Sequence, residues 1–281
     1  MSSKKMNPSL SLIISTYNWA EALDLCLKSI LSQHVAPDEI IIADDGSNDH
    51  TRRVIQSYRD RFSIPIFHVW QEDKGFRKSM ILNEAIQSAT SDYIIQIDGD
   101  VILDPYFVQD HLSIAETGTF IRGTRAQITE ERKDEMFEDK MIRFNFLSRG
   151  VFNRFNAIRL PQLSFLLTKK ENNSRSVRGS NLAFWKRDFI LVNGYNNELQ
   201  GWGHEDEELA ARFINNGIIK KKVKFKAIQY HLFHNKAARS NRRLHVYELK
   251  RVRDMKIRMC RNGYHQNRIM KNQLQKELMA I

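Results

Sequence analysis

The chain has 281 residues, and its 44 Lys and Arg against 33 Asp and Glu give a formal net charge of +11. A chain of this length can bury one sizeable hydrophobic core. Residues 1–5 contain no apolar signal segment, and no stretch approaches the roughly 20 apolar residues of a membrane-spanning helix, so the sequence predicts a cytoplasmic protein. Its two cysteines, Cys26 and Cys260, form no metal-binding pattern and fit a reducing compartment.

The first hundred residues alternate apolar runs with amphipathic segments. Residues 10–14, 39–43 and 93–97 are rich in Ile and predict buried parallel strands, and residues 66–70 predict a fourth strand. Apolar residues at helical spacing predict a helix after each of the first three strands. The residues predicted to face inward are Ala20, Leu23, Leu27, Ile30 and Leu31, then Val54, Ile55 and Tyr58, then Met80, Ala85, Ile86 and Ala89. This repetition predicts a doubly wound β-α-β architecture.

Two carboxylates, Asp98 and Asp100, follow the strand at residues 93–97, with Gly99 between them. Ligands bind at the carboxyl ends of strands in open α/β sheets. Two acids at such a place repel each other unless a cation neutralises them, and Mg²⁺ or Mn²⁺ suits carboxylate oxygens. An Asp-Gly pair is also common in turns, so a strand-terminating turn is the alternative. Beyond it, Asp104-Pro105 predicts a further helix with Pro at its first position.

A series of blocks in fixed order resembles the nucleotide-sugar glycosyltransferases of the inverting family 2, which have the GT-A fold. The last block also resembles the Trp-Gly-(Gly)-Glu-Asp segment of β1,4-galactosyltransferases and chondroitin-polymerase-type enzymes. The blocks are Ser15-Thr16-Tyr17-Asn18, Asp44-Asp45-Gly46-Ser47, Asp98-Gly99-Asp100, Gly179-Ser180-Asn181-Leu182-Ala183-Phe184, Asn193-Gly194-Tyr195 and Gly201-Trp202-Gly203-His204-Glu205-Asp206.

The resemblance covers residues 8–235 and implies one α/β catalytic domain of the GT-A type. Residues 8–125 would form its nucleotide-sugar-binding half, and residues 126–235 its acceptor-binding and catalytic half. Residues 236–281 are predicted to form a basic, helical C-terminal tail.

The resemblance also implies a UDP-sugar donor over the first strand tips. Ser15 and Tyr17 would hold or stack on the base, and Asp45 or Asp44 would accept a hydrogen bond from uracil or ribose, although such acids also suit ordinary Asx turns. Many family members carry an Arg directly before the equivalent of Asn83, where this chain has Leu82. A phosphate-facing cation must therefore be Arg77, Lys74 or Lys78. The nucleotide-sugar-binding residues expected from the resemblance are Ser15, Thr16, Tyr17, Asn18, Asp44, Asp45, Lys74, Gly75, Arg77, Asp98 and Gly99.

Cleavage of a sugar nucleotide builds negative charge on the departing diphosphate. A divalent Mn²⁺ or Mg²⁺ held by Asp98 and Asp100 would stabilise that charge. The family usually adds a late His ligand, for which His231 and His234 are the candidates and His231 is favoured. The alternative for either is a hydrogen-bonded His at the end of a strand. The chain has no Gly-rich loop after its first strand, which argues against a dinucleotide cofactor.

Direct displacement requires a base that removes the proton of the acceptor hydroxyl, and Asp206 is the candidate. It falls at the first turn of a predicted helix, whose positive end favours the ionised carboxylate. Glu205 would hydrogen-bond the acceptor or donor sugar, and Asn181 would bind a sugar hydroxyl. Trp202 would offer an apolar platform, with Gly203 supplying backbone freedom. The alternative for the two acids is plain capping of the helix.

The positive charge concentrates in residues 143–159, where aromatic side chains interleave with arginines, and in residues 239–276. Such surfaces can bind anionic lipid headgroups or a phosphorylated glycolipid, which predicts peripheral attachment to the inner face of the cytoplasmic membrane; solvated helices are the alternative. Lys222, Lys224 and Lys226 alternate with apolar residues and predict a strand with one solvated face. No nucleic-acid-binding motif accompanies the charge, so no nucleic-acid partner is expected.

These residues together predict a metal-dependent inverting glycosyltransferase. It would move a sugar from a UDP-sugar to a saccharide or glycolipid hydroxyl and form a β-linkage. Family habit suggests bacterial lipopolysaccharide, capsule or other surface polysaccharide synthesis. A nucleotidyltransferase is the alternative, but it would need a Gly-rich triphosphate loop where residues 15–18 stand. A non-catalytic nucleotide-sugar-binding protein is a third reading, against which the presence of Asp206 argues.

Overall fold

A computed structural model describes residues 8–235 and 241–267 of the chain. Its strands are β1 Leu10–Thr16, β2 Glu39–Asp44, β3 Ile66–Trp70, β4 Tyr93–Asp98, β5 Val101–Leu103, β6 Thr119–Arg122, β7 Thr124–Ile128, β8 Val151–Phe152, β9 Lys169–Glu171, β10 Asn181–Trp185, β11 Ile219–Lys222 and β12 Ile228–His231. Its α-helices are α1 Ala20–Leu31, α2 Asp49–Arg59, α3 Lys78–Ser88, α4 Phe107–Ile114, α5 Glu130–Asp139, α6 Ser164–Leu167, α7 Lys186–Leu191, α8 Glu205–Asn215 and α9 Arg242–Asp254.

An eight-stranded sheet in the order β3-β2-β1-β4-β10-β6-β11-β9 forms the centre of the molecule. The first four strands are parallel, as the sequence predicts, and β10 joins β4 in the antiparallel direction. The register pairs Ser15 with Asp98 across β1 and β4, and Thr16 with Asp44 across β1 and β2. The carboxyl ends of three predicted strands therefore lie level at one edge of the sheet.

Apolar side chains cover both faces of this sheet. The alternating Ile and Leu residues of β1 divide between two buried clusters, one under α1 and α2 and the other under α3 and α8. Fully burying one such side chain contributes about 1.5–3 kcal/mol. The predicted inward face of α1 is confirmed at Leu23, Leu27 and Ile30, which are buried, whereas Met80 of α3 is only half-buried.

A second sheet, in the order β5-β12-β7-β8, lies after the carboxyl end of β4. Here β12 runs antiparallel to β5, which pairs His231 with Val101, and parallel to β7, which pairs His231 with Gln127. Because Val101 directly follows Asp100, this pairing brings His231 beside the Asp98-Gly99-Asp100 turn.

Two predictions of local structure are wrong in detail. Pro105 lies in a turn two residues before α4, because the Asp104 carboxylate accepts a hydrogen bond from the Tyr106 N–H, 3.0 Å away, and delays the helix start. The predicted lysine strand ends at Lys222, because Phe225 and Ala227 take left-handed backbone angles, with φ of 65° and 51°.

The C-terminal residues that the structure describes pack onto the rest of the molecule. Leu249 and Val252 of α9 contact α8 through Ala211, and Tyr264 joins the cluster under α3 and α8. The Asn267 side chain donates a hydrogen bond to the Met80 carbonyl, 3.0 Å away. The predicted tail thus contains a helix. Residues 236–240 and 268–281, which it also includes, lie outside the described residues.

The two cysteines are free thiols with buried side chains. Cys26 of α1 lies in the core, and burial raises the pKa of its thiol well above the usual range. None of the helices in the described ranges is long and apolar enough to cross a membrane.

Candidate active site

The carboxyl ends of β1 and β4 bring together Ser15, Asp98 and Lys78. Oδ1 of Asp98 accepts a hydrogen bond from the Ser15 hydroxyl at 2.8 Å. The same atom forms an ion pair with the Lys78 ammonium, 2.5 Å away. The Lys78 side chain is only 15% exposed, so this pair is poorly screened by water. Gly99 follows directly, and its N–H donates to the Ser15 carbonyl at 2.8 Å.

The loop after β1 places the ring of Tyr17 at the surface. Tyr17 is half-exposed, and its hydroxyl donates to Asp73 at 2.9 Å, a bond that raises the pKa of the phenol. Asn18 takes a left-handed φ of 46°, and its side chain accepts from the Asn48 N–H. Thr16 is buried, and its carbonyl accepts from the Asp45 N–H. Tyr17 thus presents an aromatic ring to solvent, and Asn18 beside it is also exposed.

The two acids after β2 differ in what they bind. Asp44 is 1% exposed, and its two oxygens are held by the Ser47 N–H at 2.7 Å and the His68 imidazole at 2.8 Å. These contacts hold Asp44 in the turn after β2, as in the Asx-turn alternative, and its nucleotide contact stays a prediction. Asp45 accepts from the Arg77 N–H at 2.8 Å, and burial raises the pKa of its carboxyl.

The three candidate phosphate-facing cations point to different places. Lys74 is exposed and pairs with Glu72 at 2.8 Å, and the Arg77 guanidinium donates to the Glu72 carbonyl. Gly75, with a φ of +82°, turns the loop between them. Lys78 is the cation that reaches the tip of β4. The sequence offered it as one of three possibilities, because nothing in the basic loop shows where α3 begins.

Three side chains near the end of β4 converge as metal ligands would. Oδ2 of Asp100 lies 3.3 Å from Nε2 of His231 and 3.3 Å from Nε2 of His234. The three ligand atoms all lie within 4.8 Å of one another. Asp98 is not in this group, since its Oδ1 atom faces Ser15 and Lys78. The arrangement thus differs from the predicted Asp98–Asp100 pair and includes both histidines instead of one.

The donor atoms of this cluster fit a divalent transition metal. Among the described residues, Oδ1 of Asp100 is buried without a hydrogen-bond partner. Burial raises the pKa of Asp100, but the two imidazoles, led by His231, outweigh it and the net shift is downward, towards the ionised form that a ligand needs. Two imidazole nitrogens and one carboxylate oxygen suit Mn²⁺ better than Mg²⁺, which prefers oxygen alone.

The Glu205-Asp206 pair opens α8, as predicted. Oδ1 of Asp206 accepts a hydrogen bond from the Tyr195 hydroxyl at 2.9 Å, and that hydroxyl also lies 3.0 Å from Oε1 of Gln96 in β4. Burial raises the pKa of Asp206 and the Lys78 charge opposes this, with a net upward shift. Burial therefore outweighs the positive end of α8, which the sequence predicts to favour the ionised form of Asp206. A raised pKa makes the carboxylate a stronger base.

His245 of α9 contacts the segment that contains Gly203 and leads to Glu205. Glu205 is 6% exposed, and burial, followed by repulsion from Asp206, raises its pKa. A Cβ on Gly203 would lie 2.0 Å from Nδ1 of His245, so the glycine is needed for the close approach of this ring. Nδ1 of His245 accepts from the His204 N–H at 3.1 Å, and Nε2 lies 3.0 Å from the Gln200 carbonyl. His245 thereby fixes the backbone just before the acid pair.

The two predicted sugar contacts have different outcomes. Trp202 is 37% exposed, which leaves part of its ring for a sugar face. Asn181 is 3% exposed; its amide nitrogen donates to the Thr124 and Ala227 carbonyls, and its oxygen lies 3.0 Å from Nε2 of His111. These contacts engage the side-chain polar atoms of Asn181 and make it a link between the two sheets, while its sugar contact stays a prediction.

Comparison with known families decides the classification of this site. The model described as Glycosyl transferase family 2 matches residues 11–177, more than half of the chain. The chain belongs to glycosyltransferase family 2. A second model, described as the N-terminal domain of galactosyltransferase, matches residues 161–235 and so includes the acid pair of α8.

Sequence similarity to individual curated proteins extends over most of this family 2 chain. Validoxylamine A glucosyltransferase of Streptomyces hygroscopicus subsp. limoneus is 29% identical over 228 residues, 75% of this chain and 49% of that protein. Chondroitin synthase of Escherichia coli is 25% identical over 238 residues, 79% of this chain and 34% of that protein. The chain therefore spans half or less of the length of these curated relatives.

Solved structures confirm the GT-A fold. S. aureus TarS 1–349 in complex with UDP-GlcNAc matches with a TM-score of 0.60 and 16% identity, over 92% of this chain and 69% of that one. The mannosyltransferase PcManGT from Pyrobaculum calidifontis, in complex with GDP-Man and Mn²⁺, matches with a TM-score of 0.60 and 17% identity, over 89% and 66%.

Proposed function

We propose that this family 2 chain is a metal-dependent, inverting glycosyltransferase that moves a sugar from a UDP-sugar to a saccharide hydroxyl. The observation that carries the proposal is the arrangement of two acid groups around one cation. Lys78 pairs with Asp98 at the tip of β4 and interacts electrostatically with Asp206 and Glu205 at the start of α8. A donor site and a base therefore lie at the same edge of the central sheet.

The donor would occupy the tips of β1 and β4. The exposed Tyr17 ring offers a surface for stacking of the base. Asp98, fixed by Ser15 and Lys78, would accept hydrogen bonds from ribose or donor-sugar hydroxyls. TarS binds UDP-GlcNAc in its solved complex, which supports a UDP-sugar as the donor class.

Asp100, His231 and His234 would hold the metal ion, for which Mn²⁺ suits the donor atoms best. When bound, a divalent ion supplies Lewis-acid stabilisation of the charge on the departing diphosphate. The ammonium of Lys78 would add a second positive charge at this edge. Its pKa is raised well above the usual range, since the neighbouring carboxylates outweigh burial, and the side chain is therefore charged at neutral pH.

Asp206 would remove the proton of the acceptor hydroxyl as the new glycosidic bond forms. Its position is fixed by the Tyr195 hydroxyl at 2.9 Å and by the N–H of Gly179. A Cβ on Gly179 would lie 2.5 Å from Oδ1 of Asp206, so a larger residue would displace this carboxylate. A base acting directly on the acceptor gives single displacement and inversion at the anomeric carbon.

Calorimetric titration with UDP, with and without Mn²⁺, tests the proposal first. We expect UDP binding that depends on Mn²⁺, followed by slow hydrolysis of one UDP-sugar from a panel. Absence of UDP binding under both conditions would contradict the UDP-sugar assignment, and GDP-sugars and dTDP-sugars would then be titrated in turn.

Surface attachment to an anionic membrane is a second proposal, supported by exposed apolar side chains beside arginines. In the basic and aromatic segment of residues 143–159, the Arg149 side chain is 85% exposed. The exposed apolar residues between positions 146 and 166 are Phe146, Leu147, Phe152, Phe155, Leu160, Leu163, Phe165 and Leu166. Large exposed apolar patches mark interaction surfaces, and arginines favour anionic headgroups. Such attachment would suit a glycolipid acceptor of surface polysaccharide synthesis.

Flotation with liposomes tests this attachment. We expect the protein to float with anionic vesicles and not with neutral ones, and the Phe165→Ser/Leu166→Ser variant to lose flotation. Failure to bind anionic vesicles at both low and physiological salt would rule the attachment out.

A further inference from the structure

A cavity of about 180 Å³ lies beside the candidate active site and is lined by three arginines, Arg122, Arg125 and Arg178. Arg122 ends β6, Arg125 lies in β7, and Arg178 precedes β10. Asn156 and Gln127 also line the cavity. Pockets for drug-sized ligands measure about 300–1,000 Å³, so this cavity holds one sugar substituent or ring, not a whole oligosaccharide.

Carboxylates act on two of the three guanidinium groups through longer-range electrostatics, Glu171 on Arg122, and Asp98 and Asp100 on Arg125. Among the residues that the structure describes, none of them forms a direct ion pair with a carboxylate. Nε of Arg122 donates to the Ser176 carbonyl at 3.2 Å, and Arg125 reaches the Ser180 hydroxyl at 3.5 Å. Burial, followed by repulsion from Arg178, lowers the pKa of Arg125 to about 10. The fold therefore holds like charges together at a cost that an anion would offset.

We infer that this cavity binds an anionic substituent, a carboxylate or a phosphate, on the saccharide that accepts the transferred sugar. The inference rests on the proposed function, because only a transferase has an acceptor. Guanidinium groups bind both oxyanions through paired N–H donors, which explains the choice of arginine over lysine. The acceptor would thus be a uronic acid or a phosphorylated sugar.

The position of the cavity favours the acceptor over the nucleotide. Its lining residues belong to β6, β7, β10 and the loops beside them, and Arg125 among them interacts electrostatically with Asp98 and Asp100 at the end of β4. The cavity also adjoins the segment that holds Asp206, since Ser180 lines the cavity and Gly179 contacts the Asp206 carboxylate. An acceptor anchored in the cavity would have its hydroxyl groups on the side of the proposed base.

Titration of the full chain with small glycosides, followed by NMR, tests the inference. The probes are methyl β-D-glucuronide, glucose 6-phosphate and the neutral methyl β-D-glucoside, each with and without UDP and Mn²⁺. We expect at least one anionic probe to bind at least about tenfold more tightly than the neutral glucoside. The better anionic probe identifies carboxylate or phosphate as the recognised group.

Two variants connect this preference to the cavity. Arg178 is exposed, so Arg178→Gln should fold normally and reduce the anion preference several-fold, while Arg125→Gln should abolish it. Arg149→Gln, which removes a largely exposed arginine outside the cavity, is the matched control and should leave the preference unchanged. Melting temperatures of all three variants show whether the fold is intact.

Three results would overturn the inference. The first is equal affinity for the neutral and both anionic probes, and the second is an anion preference that survives Arg125→Gln and Arg178→Gln. The third is a loss of UDP affinity in these variants as large as their loss of anion affinity, since the arginines would then serve the diphosphate. Titrations without UDP keep the outcome separate from the proposed function, whose failure would appear as absent UDP binding in the unaltered chain.

Discussion

The tips of β1–β4 and the segment from residue 122 to residue 206 both contribute to the candidate site, but the sequence describes them unequally. At the strand tips, a polar residue that follows an apolar run lies at the sheet edge, and Asp98 and Ser15 meet there. In the later segment, Asn181 and Gly203 stand in similar motif blocks yet serve packing. In a parallel sheet, the residue that follows each apolar run lies at the same edge, so its position can be predicted from the sequence. In loops and mixed strands it cannot.

The difference arises from which contacts decide a side chain's role. Asp206 and Asn181 are both polar residues near the centre of the site, but the partners of Asn181 are carbonyls of Thr124 and Ala227, which belong to the connection between the two sheets. Only the three-dimensional pairing of distant segments reveals such partners. Conversely, Tyr195 lies in a recognised block, and its contact with Asp206 appears only once α8 is in place.

The largest expected effects concern Asp206, the proposed base, and Asp100, the proposed metal ligand. Asp206→Asn should lower the transfer rate about 10²–10⁴-fold and leave UDP and Mn²⁺ affinity unchanged, because it removes a base and no donor ligand. Asp100→Ala should lose activity together with Mn²⁺ binding, because it removes the carboxylate between His231 and His234. Steady-state kinetics and calorimetric titration with UDP and Mn²⁺ measure both. An equal loss of UDP affinity in the two variants would show that the roles are assigned wrongly.

More of the fold than of the site can be predicted from the sequence. Ile-rich runs and the periodicity of α1–α3 suffice for the β-α-β half, because each of these elements buries a continuous apolar face. The second sheet was not predicted, since its strands β5, β7 and β8 are short and pair across long gaps in sequence. The metal cluster shows the same limit. Both histidines were named, but their joint approach to Asp100 depends on how β12 aligns with β5.

Asn181→Ala sharpens the contrast between a binding role and a structural role. We expect it to lower the free energy of unfolding by about 2–4 kcal/mol, because it leaves two carbonyls and His111 without their partner in a buried setting. Urea denaturation measures the change. Trp202→Ala is the comparison, since its partly exposed side chain should affect acceptor KM more than stability. Normal stability of Asn181→Ala with a raised KM would restore the sugar-binding role.

A smaller effect is expected where α9 meets the loop before the acid pair. Gly203→Ala should lower the free energy of unfolding by about 1–3 kcal/mol, because its new methyl group meets the His245 ring. The added His245→Ala change should recover part of this loss, since it removes the clashing ring. Thermal unfolding of the single and double variants measures the coupling. Additive effects of the two changes would mean that this contact does not limit the residue at position 203.

The smallest expected effect concerns the protonation of Glu205. Burial, followed by repulsion from Asp206, raises the pKa of Glu205 to about 7 in the folded chain, whereas an unfolded Glu has a pKa of about 4.3. Between these two values the folded chain binds more protons than the unfolded chain, so this group makes the protein less stable as pH rises through the window. The destabilisation is complete above the folded pKa and absent below the unfolded one.

Glu205→Gln removes this titration and should therefore raise the melting temperature at pH 8 relative to the parent, with no difference near pH 4.5. Since Asp206 shares the repulsion, the gain is expected to be on the order of 1 kcal/mol. Glu131→Gln, at an exposed position of α5, is the matched control and should leave the pH dependence of the melting temperature unchanged. A Glu205→Gln variant with the parent's pH profile would show that Glu205 is already ionised in the folded chain. Both acids of the α8 pair would then carry charge beside Lys78.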